Sequence, residues 1–175
     1  SAGNATDFGD ATASDTLHGG LSGGDRALYA GFARGTGGTI NAIQMSTAGN
    51  ATDFGDLSVA RHNVGALSNA HGGLDFEAFG SQRPSVNYMP GSGRGLLGGG
   101  KTNPAGTNQN AIQMIHIQTL GNTSDFGDLT IASYGRSGCA SRTRGVFGGG
   151  YKDASPAGEI NTIESIEFAS QGNAA

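Results

Sequence analysis

An eight-residue segment recurs along this chain and constrains its fold more than any other feature. Residues 3–10 read Gly-Asn-Ala-Thr-Asp-Phe-Gly-Asp, residues 49–56 repeat them without a change, and residues 121–128 repeat them with two changes. A fourth copy opens at residue 172 with Gly-Asn-Ala. Chance does not repeat eight residues in this way within 175 positions, so the chain is predicted to be an array of related structural units.

The units share an order of apolar segments. After Asp-Phe-Gly-Asp the residues alternate as in a strand, with Leu57, Val59 and Arg61 in one unit and Leu129, Ile131 and Ser133 in another. A small-residue strand then ends in glycines at residues 94–100 and 144–150, with residues 27–32 as a weaker version. A second apolar strand follows at residues 110–117 and 161–168. Residues 41–45 are a shorter form of this second apolar strand when Asn41 is aligned with Asn110 and Asn161.

Glycine is the most over-represented residue type, with 33 of 175 positions, where average usage is roughly 7%. Because each glycine costs a helix about 1 kcal/mol, a helical bundle is excluded. Collagen is excluded because the glycines cluster and do not recur at every third position. With a net charge of only −4, the composition predicts a turn-rich, all-β chain and not a disordered one.

Several classes of partner are excluded by the same composition. No apolar run approaches the roughly 18 residues of a membrane span, so no membrane partner is expected. The ten basic residues are scattered, which argues against nucleic acid. Cys139 is the single cysteine, so no internal disulfide can form, and its small-residue surroundings favour a buried, inert thiol over a nucleophile.

The repeat spacing predicts a single repeat domain over residues 1–175, with units at about 3–48, 49–120 and 121–171. The middle unit is too long, so either residues 77–92 are an insertion or a degenerate fourth unit lies within it. A period of 40–50 residues with short, glycine-ended strands is typical of a β-propeller blade. The alternative is a β-solenoid, whose coils are usually nearer 20–30 residues.

The glycine-ended strand at residues 144–150, the apolar strand at 161–168 and the segment Gly-Asn-x-x-Asp-Phe-Gly-Asp-Leu together resemble a kelch-like repeat of structural proteins from tailed bacteriophages, especially cyanophages. The resemblance implies three to four propeller blades and a virion component, such as a fibre, tail or capsid-surface appendage, that contacts other virion proteins. The chain lacks the Trp that usually follows the double glycine of kelch blades. The shared repeat phase at both ends leaves three arrangements open: ring closure in one chain, completion by a second chain, or a segment of a longer array.

The repeat predicts structural positions, with no catalytic, cofactor or metal site. In each Asp-Phe-Gly, the Asp is expected to bond turn amides, the Phe to enter the core and the Gly to take a positive φ. The strand-end glycines are expected to permit close backbone approach. These positions are Asp7, Phe8, Gly9, Asp53, Phe54, Gly55, Asp125, Phe126, Gly127, Gly98, Gly99, Gly148 and Gly149.

Three other motifs each have a structural and a functional interpretation. Residues 95–102 match a phosphate-binding loop that ends in Lys101, but a loop sequence follows where a helix should begin. Arg61, Arg142 and Arg144 either bond carbonyl groups between blades or contact a ligand. The paired carboxylates Asp53 and Asp56 suit either a tight turn or a cation.

The function predicted is therefore that of a non-enzymatic virion protein that forms a homo-oligomer and contacts a glycan or protein of the host surface. The alternative is a lectin-like or adhesin propeller of a bacterial surface, because loops on one propeller face are suited to binding. An enzyme is the third hypothesis, and its candidate carboxylates are Asp75 and Glu77, which lie outside the repeat phase.

Overall fold

The computed structural model describes residues 5–14, 16, 18–23, 25–32, 38–69 and 93–175, and these residues contain β-strands and no helix. The prediction of an all-β chain is confirmed. In chain order the strands are β1 Gly19–Gly23, β2 Arg26–Ala30, β3 Thr39–Gln44, β4 Thr52–Asp56, β5 Arg61–His62, β6 Gly65–Ser68, β7 Arg94–Gly98, β8 Lys101–Thr102, β9 Ala111–His116, β10 Ser124–Asp128, β11 Ser137–Ala140, β12 Arg144–Gly148, β13 Tyr151–Lys152, β14 Gly158–Glu159 and β15 Ile163–Glu167.

Most of the strands form three antiparallel sheets in which neighbours along the chain are neighbours in space. The first sheet is β1-β2-β3-β4, the second is β6-β7-β9-β10, and the third is β11-β12-β15. In the third sheet, Ser165 of β15 exchanges two backbone hydrogen bonds with Ala175, at the place where β4 and β10 lie in the other sheets. Short pairs, β5 with β8 and β13 with β14, connect the loops.

The Asp-Phe-Gly-Asp segments lie inside the fourth strands β4 and β10. The prediction of a strand directly after each Asp-Phe-Gly-Asp segment is wrong. After residue 56 only Arg61–His62 forms a strand, and residues 129–133 form none. The reason is that these residues run between sheets. Leu57 donates its backbone N–H to Gly38 and buries its side chain, and Leu129 does the same with Asn110.

The third strands align differently from the sequence expectation in the first sheet. Asn41 was matched to Asn110, but the ladders place Ile40 opposite Gly55 and Ile112 opposite the equivalent Gly127. Asn41 therefore corresponds to Gln113, three residues further along than predicted. The sequence match failed because Asn-Ala-Ile-Gln-Met occurs in both strands, but its register against the fourth strand differs by three residues.

The long middle repeat contributes β6, β7 and β9 to the second sheet. Strands β6 and β7 are direct neighbours there, with Ser68 opposite Gly95. The residues that connect them, 70–92, lie outside the described residues, and so do Asp75 and Glu77.

The sheets stack face to face, with one apolar layer between the first and second sheets and another between the second and third. Neighbouring residues of β7 point in opposite directions, so that Leu97 belongs to the first layer and Leu96 to the second. The first strands β1, β6 and β11 lie side by side. Glycine permits this approach, because a Cβ at Gly138 would come within 2.6 Å of the carbonyl oxygen of Ala66.

Candidate interaction surfaces

Consecutive copies of the repeated segment are joined by a ladder of hydrogen bonds. Gly121 donates its N–H to the carbonyl of Phe54, and Thr123 donates to the carbonyl of Asp56. Between these two bonds, the side-chain Oδ1 of Asn122 accepts the N–H of Asp56 at 3.0 Å. The same three bonds join residues 8–10 to 49–51 and residues 126–128 to 172–174. The repeated Gly-Asn therefore couples each unit to the one before it.

The Phe and Gly of Asp-Phe-Gly form a β-bulge that fits this ladder. Phe54 is the extra residue between Asp53 and Gly55 in the pairing with β3, and its side chain enters the first apolar layer. Gly55 has a φ of 156°, and a Cβ there would overlap the carbonyl oxygen of Gly121. Phe126 and Gly127 repeat both features in the second sheet.

The first copy shows which of these properties depend on a neighbouring sheet. Gly9 has a φ of 150°, and Asp7 accepts the Gly9 N–H at 3.1 Å, as expected for an Asp that bonds a nearby amide. Phe8, however, is exposed over 42% of its surface, whereas Phe54 is 4% exposed. Asp125 and Asp53, the corresponding carboxylates, point to solvent.

Two of the four strand-end glycines adopt a left-handed backbone conformation, and only at Gly99 would a Cβ closely approach a backbone atom. Gly99 and Gly149 both have a φ of 67°. A Cβ at Gly99 would come within 2.6 Å of the Ser133 carbonyl oxygen, so the loop after the second repeat packs directly on this turn. A Cβ at Gly98 would lie 2.9 Å from the ring of Phe147. At the equivalent Gly148, only Ile163 would lie within 4 Å of a Cβ.

A second coupling uses a hydroxyl two residues after each Asp-Phe-Gly-Asp. Thr12 donates to Asn41, Ser58 accepts from Gln113, and Thr130 donates to Glu164. Asn41, Gln113 and Glu164 occupy the same position of the third strand, and each is buried. A buried polar side chain needs a partner, so this contact fixes the path of the linker against the next sheet.

Two buried guanidinium groups complete the linker contacts. Arg61 donates to the carbonyl oxygens of Leu97 and Ala111, at 3.1 and 2.8 Å, so it bonds carbonyls as predicted, although both carbonyls belong to the second sheet. Burial lowers the pKa of Arg61 to about 10, and the group stays charged near neutral pH. Arg136 instead forms an ion pair with Glu164 at 3.1 Å, with both side chains almost fully buried.

A third coupling begins at the first residue of each second strand. Arg26 donates to the carbonyl of Ile117, and Arg94 donates to the carbonyl of Phe168, which is the equivalent position one sheet further on. Arg144 is the third member of this series. It lies in the third sheet and pairs with Glu167 of its own sheet at 2.8 Å, with both side chains well exposed.

The downstream face of the third sheet is defined here by Cys139, Val146, Ile163 and Ser165, which point away from the second sheet. The prediction of a buried thiol is wrong, because Cys139 is exposed. The reason is its position: Leu67, its equivalent in the second sheet, is covered by the third sheet, whereas Cys139 points away from both other sheets.

The upstream face of the first sheet is defined by Gly20, Ser22, Ala27, Tyr29 and Ile43. Residues 9–13 cross it and leave a shallow hollow of about 580 Å³. His18, Tyr29 and Phe32 form an aromatic cluster at its margin, with ring centroids 5.6 to 6.2 Å apart. The hollow combines aromatic rings with small side chains. No separate sequence signal pointed to this cluster, because Tyr29 and Phe32 lie in the predicted repeat strand at residues 27–32.

The segment at residues 95–102, which matches a phosphate-binding loop, forms strand pairs and a salt bridge within the fold. Residues 95–98 are paired on both sides by β6 and β9, and residues 103–110 form turns and a loop. Lys101 binds Asp153 at 2.8 Å and lies 4.1 Å from the ring centroid of Tyr134. The hydrogen bond that Lys101 donates to Asp153 raises the pKa of Lys101. Its amine therefore joins the second and third units.

No group of three potential metal ligands occurs among the described residues. Asp53 and Asp56 are both exposed on β4. Across the described ranges no helix is long and apolar enough to span a membrane.

No protein-family model matches the chain, and a search of curated proteins finds no match to it.

Proposed function

We propose that the three sheets are blades of a kelch-like β-propeller and that the chain is a non-enzymatic structural component of a tailed-phage virion. The fold proposal is supported by three antiparallel meanders that stack face to face with their first strands side by side. A β-solenoid is less consistent with these contacts, because each sheet here is completed by consecutive strands of one unit.

The observation that carries the structural role is the use of the repeated motif itself. In the copies at residues 49–56 and 121–128, the Asn, Phe and Gly couple one sheet to the next, through the ladder, the apolar layer and the bulge. A motif used in this way builds an array. The resemblance of that motif to repeats of phage structural proteins suggests the virion as its location.

The test is to purify particles of the phage that encodes the chain and to locate the protein on them. We expect mass spectrometry of gradient-purified virions to detect the chain at a fixed ratio to the capsid protein, and immunogold labelling to mark one appendage. A phage-encoded enzyme made in the same infected cells is the matched negative control. Recovery of the chain only with that enzyme, in the unassembled fraction, would refute the virion role.

Glycan binding by a lectin-like propeller is the second candidate, and the hollow on the upstream face favours it. Aromatic rings beside small polar groups are suited to stacking against a sugar. A glycan array probed with the protein and with Tyr29→Ala tests this function. We expect any specific signal to be lost in the variant, and retention of the signal would exclude this hollow as the site.

A further inference from the structure

Equivalent residues of the three sheets differ in exposure according to whether another sheet follows. Ile112 points to the third sheet and is 0% exposed, and Ile40, at the same position of β3, is 1% exposed. Ile163 is their equivalent in β15 and is 73% exposed. The third sheet therefore presents, uncovered, the side chain that is buried at both internal interfaces.

The first sheet shows the reciprocal pattern on its upstream face. Ile117 and Phe168, which follow the third strands of the second and third sheets, are buried. Met45 holds the same position in the first sheet and is 42% exposed. Phe8 is likewise exposed where Phe54 is buried. The two ends of the stack thus expose the two halves of one repeated interface.

The polar contacts follow the same rule. Arg26 and Arg94 each bind the carbonyl that follows the third strand of the next sheet. Arg144 is placed to make this bond beyond the third sheet. The carbonyl at the corresponding position of a first sheet is that of Met45, so donor and acceptor are available at opposite ends of the molecule.

From these three correspondences we infer that a second copy of this chain docks head to tail, with its first sheet covering the downstream face of the third sheet. The interface continues the one already present twice within the chain. Since a face of one kind meets a face of the other kind, the contact is heterologous and yields rings or filaments. It would also cover the hollow on the upstream face, so self-association and glycan binding there compete. The inference rests on the repeated interface and does not depend on the virion role.

The internal interfaces also predict which side chains meet. A Cβ at Gly95 would lie 2.8 Å from Leu21, and a Cβ at Gly145 would lie 2.8 Å from Leu67. Cys139 occupies the position of Leu21 and Leu67, and Ala27 occupies the position of Gly95 and Gly145. In the proposed contact, Cys139 of one copy therefore faces Ala27 of the next.

This pairing gives a direct test by disulfide trapping with the full chain. We expect Ala27→Cys to form a ladder of covalent dimers and higher species under mild oxidation, reversed by reductant, through the native Cys139. Leu120→Cys is the matched control, since Leu120 is 70% exposed but lies outside both faces. Ala27→Cys with Cys139→Ser should lose the ladder. Equal cross-linking by the Leu120 variant, or none by Ala27→Cys, would overturn the proposal.

A second test uses variants that block one face each. Ile163→Glu blocks the downstream face and Met45→Glu the upstream face, and both residues are exposed, so the fold should persist by circular dichroism. We expect the unmodified protein to self-associate in sedimentation equilibrium and each variant alone to be monomeric. An equimolar mixture should form a 1:1 complex, while Leu120→Glu should behave like the unmodified protein. A monomeric unmodified protein at high concentration, or self-association of Met45→Glu alone, would contradict head-to-tail docking.

Discussion

At the scale of single residues, the bulge glycine sets how closely consecutive copies approach. Gly9, Gly55 and Gly127 each lie directly under a carbonyl of the following Gly-Asn, and all three have φ values between 150° and 157°. The first glycine of each copy has a different role. Gly49 has open space around the position of a Cβ, and it contributes only its N–H to the ladder.

These two environments make a matched pair of substitutions. We expect Gly55→Ala to lower the free energy of unfolding by more than about 1 kcal/mol, because the added Cβ meets backbone and the φ is unfavourable for an L residue. Gly49→Ala should change it by less than about 0.5 kcal/mol. Urea unfolding followed by circular dichroism measures both, and equal effects would show that the bulge does not limit the approach.

The sequence predicted the roles of Phe and Gly in this motif but not that of Asn. An Asp-Phe-Gly repeated in phase already implies a buried ring and an unusual backbone, since both are local properties. The hydrogen bond from Asp56 to Asn122 joins residues 66 positions apart. Asparagine is also common in tight turns, and only the stacking of consecutive copies distinguishes the two roles.

At the scale of elements, the third strand carries one buried polar side chain whose partners change from sheet to sheet. In the third sheet Glu164 binds Thr130 and Arg136. In the second sheet Gln113 binds Ser58 and Thr123, and the position of Arg136 is taken by Val64. A charged pair and a neutral pair therefore serve the same position of the repeat.

This difference predicts a coupled pair of substitutions. Arg136→Val alone should lower the free energy of unfolding by about 3–5 kcal/mol, because it leaves a buried carboxylate without its cation. Adding Glu164→Gln gives these two positions the side chains of the second sheet and should recover more than half of that loss. A double-mutant cycle by urea unfolding checks the coupling. Additive losses would mean that the two side chains act independently.

Element boundaries were the part of the fold that the sequence predicted least well. Leu57, Val59 and Arg61 alternate like a strand, yet Leu57 is buried as part of a linker and Arg61 is buried against carbonyls of the second sheet. Val59 lies between them and is 41% exposed, so the alternation reflects two separately buried linker residues and not one face of a strand. The existence of several short strands in each unit was predictable because their apolar positions recur.

At the scale of the whole molecule, the second sheet is shared by two apolar layers that do not mix. Leu97 faces the first sheet and Leu96 faces the third, although they are adjacent in β7. Both are almost fully buried. In a repeat protein, stability is approximately a sum of unit and interface contributions, so damage to one layer should spread mainly to its own side.

The two leucines test this separation. We expect Leu97→Ala and Leu96→Ala each to cost about 2–5 kcal/mol, the usual range for a buried leucine. Hydrogen exchange should then rise mainly in the first sheet for Leu97→Ala and mainly in the third sheet for Leu96→Ala. Uniform acceleration in both variants would indicate a single cooperative unit.

The ladder between repeated segments has a consequence for solubility. An outer strand of a sheet normally leaves a row of free N–H and carbonyl groups that can recruit other chains into aggregates. In β4 and β10 those groups are occupied by the Gly-Asn of the next copy, with the asparagine side chain taking the place of a backbone acceptor. Each unit thus covers the exposed edge strand of the unit before it. We therefore expect a glycine-rich β array of this kind to resist edge-to-edge aggregation at high local concentration.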